Sequence, residues 1–180
     1  LKKIDNKFWA LQLKAFLEEV VQPKVNGRAV LLGNSLGALT AITTNLITPE
    51  SISAIIAAPL PDPAFLSKVS FTSFGWISKL KKLIIKLFFY ILPLEVLIPL
   101  ISRTALLKSA LQSAYFTSIA DDKELLKIVA KPARRTNSAK ALRAMCIGMA
   151  LREKEDTAPF ILNKLGRHIK KVPILLIWGR

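Results

Sequence analysis

The stretch Arg28-Ala-Val-Leu-Leu-Gly33-Asn34-Ser35-Leu36-Gly37-Ala38 restricts the fold of this chain more than any other. A short apolar run leads into Gly-x-Ser-x-Gly, and a helical pattern follows at once. Ala29 to Leu32 predicts a buried strand, and Ala38 to Ile47 predicts a helix that stops before Pro49. A serine between them is carried on a sharp strand-to-helix turn, in crowded and strained backbone. Gly33 and Gly37 suit such a turn because they lack the Cβ atoms that would clash. The N–H of Leu36 stands at a helix N-terminus, where unsatisfied donors and the helix dipole favour developing negative charge. Ser35 is therefore the candidate nucleophile, and Leu36 the candidate backbone donor to an oxyanion.

The flanking sequence supplies the elements such a turn requires. Asp5 or Asn6 can cap a helix running to about Val21, with Trp9, Leu11, Leu13, Phe16, Leu17 and Val20 as much of its apolar surface. Pro23 and Asn26-Gly27 make a turn into the first strand. Ser53 to Ala58 predicts a second buried strand, ended by Pro59, Pro61 and Pro63, and Val172 to Trp178 predicts a third. Strand, helix and strand joined by short connections form a parallel α/β unit. Between these parts the texture becomes helical and basic. A helix is expected from Ser118 or Asp121 to a stop at Pro132, another from Ser138, and a short one from Thr157-Ala158-Pro159 to near Gly166. The expected organisation is a core over 1–62, a helical insertion over 63–157 and a return to the core over 158–180.

Leu83 to Ile101 is about long enough to span a membrane, but Lys86 and Glu95 interrupt it and Pro93 and Pro99 divide it. Two short helices lining an apolar pocket fit better. The cluster Lys79, Lys81, Lys82 and Lys86 beside Phe88, Phe89 and Tyr90 keeps an interfacial membrane contact as the alternative.

Composition narrows the chemistry. At 180 residues and 52% hydrophobic, the chain suits one domain or a large part of one. One cysteine and one histidine argue against an internal disulfide and a zinc site, and no glycine-rich phosphate loop is present. No cofactor or metal is expected. Cys146 lies in an apolar helical pattern and reads as a packed small hydrophobe. The lone cysteine suggests a reducing compartment such as the cytoplasm, and no signal peptide is visible. The formal net charge is +15, and Ala64 to Ala150 holds 14 Lys+Arg against 4 Asp+Glu. Such a face can meet anionic lipid or an acidic substrate, or be a solvated surface. Nucleic acid is not expected as a partner, since no recognition module is visible. The oligomeric state is not legible.

With these residues assembled, the chain resembles the α/β-hydrolase family in its cap-bearing form. The elbow Gly33-Asn34-Ser35-Leu36-Gly37 is preceded by a helix carrying Trp9, Leu13 and Phe16. It is followed by Pro49-Glu50, and after the helical insertion by Val172-Pro-Ile-Leu-Leu-Ile-Trp178-Gly179. The Gly-Asn-Ser-Leu-Gly form looks especially like pheophytinase-like and epoxide-hydrolase-like enzymes of cyanobacterial or plastid kind. A plastid resemblance would imply the stroma as the compartment. The likeness covers roughly the first 60 and last 15 residues. It implies a partial α/β-hydrolase fold, with parallel strands flanked by helices and an inserted helical cap. It also implies a serine hydrolase cleaving an ester or similar acyl bond of a hydrophobic small molecule, with Ser35 as nucleophile and Leu36 offering one oxyanion-hole N–H.

The family's acid follows the strand that here ends at Trp178, its histidine lies later, and its second oxyanion donor precedes Leu1. The resemblance therefore implies a fragment, inactive by itself. The lone histidine, His168, precedes the third strand, which is the wrong place for a base in the order Ser, Asp, His. Asp62, just past the second strand, is a secondary candidate acid. The alternative reading is a non-catalytic binding or membrane-surface protein of the same fold, using the basic cap against an anionic membrane.

Overall fold

The computed structural model describes residues 4–24, 27–58, 75–101, 105–113, 115, 118–119, 122–168 and 171–178, with backbone alone for 75–79 and 81. In chain order the helices are α1 (Asn6–Phe16), α2 (Leu36–Ile47), α3 (Gly75–Ile91), α4 (Leu94–Ile101), α5 (Ala105–Gln112), α6 (Lys123–Ala133), α7 (Ser138–Ala150) and α8 (Ala158–Gly166). The strands are β1 (Ala29–Asn34), β2 (Ile52–Ala58) and β3 (Ile174–Leu176). The chain divides into two compact units, Lys2–Ser78 with Gly148–Arg180, and Lys79–Ile147.

The first unit is α/β. Its three strands form one parallel sheet in the order β1-β2-β3. The third strand is shorter than its apolar run, 174–176 rather than 172–178. Its register with β2 covers Ile174, Leu175 and Leu176 and ends in flanking bonds from the Ile55 N–H to the Pro173 carbonyl and from the Ile177 N–H to the Ala57 carbonyl. One face of the sheet is packed. Leu39 and Ile42 of α2 and Ile161 and Leu165 of α8 close on Ile52, Ile55 and Ala57 of β2. The opposite face is apolar and open. Leu32, Ile56 and Leu175 stand side by side across the strands, and Leu32 is 80% and Leu175 56% exposed. Parallel sheets are ordinarily covered on both faces.

The first helix packs more narrowly than its composition suggests. Of the apolar residues read along it, Leu11, Phe16 and Val20 are exposed, while Asn6, Ala10 and Leu17 are buried and Leu13 is partly so. Those four recur at helical spacing, so α1 turns one thin stripe toward α2. The two candidate caps have divided their roles. Asp5 Oδ1 accepts from the Phe8 N–H at 3.0 Å, the usual capping bond. Asn6 points inward, and its Nδ2 donates to Thr43 Oγ1 at 2.9 Å and to the Asp156 carbonyl at 3.1 Å. Lys7 Nζ sits 2.8 Å from Asp156 Oδ1, and that hydrogen bond raises the Lys7 pKa. Asn6→Ala should leave Thr43 and the 154–156 turn with unmet buried polar groups, at a cost of about 2 kcal/mol. An unchanged urea midpoint would show that Asn6 does not tie these elements together.

The second unit is helical. Helices α3 and α4 break at Pro93, as their sequence predicts, and meet at a 63° bend. Leu83, Ile84, Leu87 and Phe88 are each more than half exposed, because the apolar positions outnumber those that the small unit can cover. No single described helix is long and apolar enough to cross a membrane, although the bent pair passes that test together. Asp122, rather than Ser118 or Asp121, caps α6, its Oδ1 accepting from the Leu125 N–H at 2.8 Å. Pro132 falls within the last turn of α6 instead of stopping it earlier. Helix α7 starts at Ser138 as read. Cys146 is partly buried, and burial pushes its thiol pKa up, which makes it a poor nucleophile.

One arginine holds the bend. Arg143 donates from Nε to the Phe89 carbonyl at 2.8 Å and from Nη2 to the Leu92 carbonyl at 3.0 Å. Its two terminal nitrogens also grip the Glu95 carboxylate at 2.6 and 2.9 Å. A cation thus meets the C-terminal carbonyls of α3 while its partner anion sits in the first turn of α4, both favourable to the helix dipoles. The Arg143 hydrogen bond, then the backbone bond at Glu95, hold that carboxyl at about 2, below its ordinary 4.5. A depressed carboxylate stabilises the fold at pH values above its unfolded pKa, and that contribution disappears as the pH falls through the folded value. Protease susceptibility of the α3–α4 bend should therefore rise between pH 4.5 and 2. An Arg143→Met variant should be susceptible already at neutral pH; equal profiles for the two proteins would remove the ion pair from this role.

Candidate active site

Ser35 lies between the last residue of β1 and the first of α2. Its N–H donates to the Ala58 carbonyl at 3.2 Å, extending the β1–β2 ladder by one bond, while its own carbonyl accepts from the Leu39 N–H at 3.1 Å, opening the helix. The residue thus belongs to both elements. Changing from strand to helix within one residue demands an unusual backbone, and Ser35 has φ 50° and ψ −112°. That lies outside even the left-handed helical well, in territory that side chains avoid. Among the described residues Asn137 is the other non-glycine with positive φ, at 69°, and asparagine tolerates that region in turns. None of the described glycines adopts a positive φ. The strain is therefore placed on the serine, although glycines flank it on both sides.

The two motif glycines serve differently from what their symmetry suggests. A Cβ on Gly33 would come within 2.5 Å of the Ala38 nitrogen and 2.5 Å of the Gly37 carbonyl carbon. The end of β1 runs against the first turn of α2, so glycine is required there. Gly37 was expected to be equally crowded, but a Cβ there would meet nothing among the described residues. It faces outward on the exposed side of the turn.

The Ser35 side chain is exposed and makes no capping hydrogen bond. It projects at the C-terminal edge of the sheet, where open parallel α/β sheets place their ligands. Leu36 is the first residue of α2, and its N–H is among the donors that a helix start leaves without an intrahelical partner. A hydroxyl and a free amide thus sit on adjacent residues. This is the pairing needed to attack a carbonyl and hold the oxygen that becomes negative.

The remaining candidates lie elsewhere or outside the described residues. Asp62 falls outside them. His168 lines a cleft of about 200 Å³ with Asn45, Pro49, Leu165 and Lys171. Asn45 is ten residues along the chain from Ser35 in the same helix, or about 15 Å at 1.5 Å per residue. His168 therefore lies toward the end of α2 remote from Ser35. Among the described residues no cluster of His, Cys, Asp and Glu could hold a metal ion. Sequence reasoning missed the contacts of Asn6 and Arg143. The adjacent polar pair Asp5-Asn6 was a signal for the first; nothing local marks the second.

No family model matches this chain, and neither curated proteins nor solved structures give a match.

Proposed function

We propose that this chain is part of a cap-bearing serine hydrolase of the α/β-hydrolase fold, acting on an ester or similar acyl bond of a hydrophobic molecule. The observation that carries the reading is the strained backbone of Ser35, φ 50° and ψ −112°, at a position where Gly33 is sterically required. Strain of this kind costs about 1–3 kcal/mol, and a fold concentrates it where a side chain must be presented in one orientation. The three strands would be central strands of a larger sheet. Their open apolar face and the pairing of β1 and β3 on one side each support this.

In the proposed reaction Ser35 Oγ attacks the acyl carbon and gives up its proton to a base. The Leu36 N–H donates to the resulting oxyanion. The carbon–oxygen bond to the leaving alcohol breaks, the alcohol takes a proton, and water then releases the acyl group from Ser35. The base is a group that the described residues do not bring to Ser35, so the 180-residue chain by itself should react slowly. The test is labelling by a fluorophosphonate of the protein isolated from its own cells, beside its Ser35→Ala variant. Labelling of the first alone supports the reading, and equal labelling of both refutes it. The exposed Ser35 hydroxyl, which makes no capping hydrogen bond, also suits a non-catalytic binding protein of the same fold, for which neither form would be labelled.

A further inference from the structure

Helix α3 is amphipathic in the opposite sense to a helix of a soluble bundle. Leu80, Leu83, Ile84, Leu87 and Ile91 recur at intervals of three and four, so they share one face. All of them are exposed, Leu83 by 61% and Ile91 by 70%. Phe88 at 58% and Tyr90 at 61% border that face. The inward side is the weaker one, with Ile85 and Phe89 half-buried. Beyond the bend, α4 continues the theme, with Val96 66% and Leu100 55% exposed one turn apart.

The exposed charge of this unit is mostly basic. Lys82 and Lys86 project from α3, both exposed. Arg134, Arg135 and Lys140 line a cleft of about 280 Å³ against Pro99 of α4. Glu95, which also lines that cleft, is gripped by Arg143. An exposed face of leucines, isoleucines and aromatics, in a unit whose exposed charge is mostly lysine and arginine, fits the boundary between the acyl chains and the headgroups of an anionic bilayer. The bend has a use in that setting. At 63° it prevents the two helices from crossing a membrane as one rod, while allowing both to lie in its surface.

We propose that α3 and α4 dock this protein on the surface of an anionic lipid bilayer. The apolar face of α3 enters the acyl boundary, and the lysines and arginines meet lipid phosphates and carboxylates. The Arg143–Glu95 pair is a positioning contact that keeps the two helices at the angle needed for both to reach the surface. This docking is independent of whether Ser35 is a nucleophile.

The test is flotation of the 180-residue chain with vesicles of phosphatidylcholine containing about a third phosphatidylserine, in low salt and in 0.5 M salt, beside pure phosphatidylcholine vesicles. Expected is binding to the anionic vesicles that weakens at least about tenfold in high salt. Leu83→Glu with Leu87→Glu should abolish it, and because both positions are exposed the circular dichroism should be unchanged. Lys82→Gln with Lys86→Gln should weaken binding by on the order of tenfold, and Ser35→Ala should bind as the parent does. An environment-sensitive dye on Phe88→Cys, in a Cys146→Ser background, should shift to the blue on binding. Absence of flotation, equal binding to neutral vesicles, or retention of binding by the double glutamate variant each overturns the proposal. So does self-association that the glutamates abolish without any vesicle binding, since the occupant would then be a second copy of the chain. Equal fluorophosphonate labelling of the protein isolated from its own cells and of its Ser35→Ala variant, with flotation intact, would refute the hydrolase reading alone.

Discussion

Gly33→Val should unfold the α/β unit or come close to it, with a loss of about 4 kcal/mol or more. The new Cβ would stand 2.5 Å from two backbone atoms of the first turn of α2, and backbone cannot rotate away as a side chain can. Retreat of the helix is blocked from behind, because Ala38 and Leu39 are fully buried in the core. The neighbouring motif glycine is the control. Gly37→Ala adds a methyl to open space in a helix, where alanine is favoured over glycine by up to about 1 kcal/mol. Urea unfolding of the two variants should therefore move in opposite directions. Similar losses in both would mean that the two glycines are needed for the same reason, contrary to the geometry.

Substitution of Ser35 should separate chemistry from stability. In the intact protein Ser35→Ala should lower turnover of an acyl substrate by about three orders of magnitude or more, the scale on which nucleophile removal acts. Ser35→Gly should lower it as much, because the hydroxyl is gone in both. Their stabilities should differ. Alanine retains the Cβ that makes φ 50°, ψ −112° costly, whereas glycine relieves it, so the glycine variant should be about 1 kcal/mol more stable than the alanine variant. A fold that is more stable without its serine is the mark of a residue kept for chemistry. Glycine and alanine variants of equal stability would show that the turn is not strained, and the strongest support for the hydrolase reading would be gone.

The elements nearest Ser35 were the most legible. A four-residue apolar run, a turn motif and a helical pattern ended by Pro49 are local signals, and β1, α2 and β2 appear within a few residues of where those signals put them. Legibility fell where several residues competed for one role. The sequence offered Ser118 or Asp121 as the start of α6, but its cap is Asp122, whose Oδ1 accepts from the Leu125 N–H. Leu11 and Phe16 have the hydrophobicity of core residues, but α1 presents only the stripe through Ala10 and Leu17 to α2. Side-chain type records what could be buried; which face is buried depends on a partner distant in sequence.

Local physics accounts for the serine on its strand-to-helix turn, the glycine before it and the amide after it. Each follows from backbone sterics and helix termini over fewer than ten residues. Tertiary structure alone distinguished Gly33 from Gly37, since identical residues two positions either side of Ser35 differ in what has been packed against them. It also turned the apolar face of α3 outward and brought Arg143 to a helix bend some 50 positions earlier in the chain. Periodicity reveals that a helix has an apolar face, but the direction of that face is set by the competition among all elements for a limited interior.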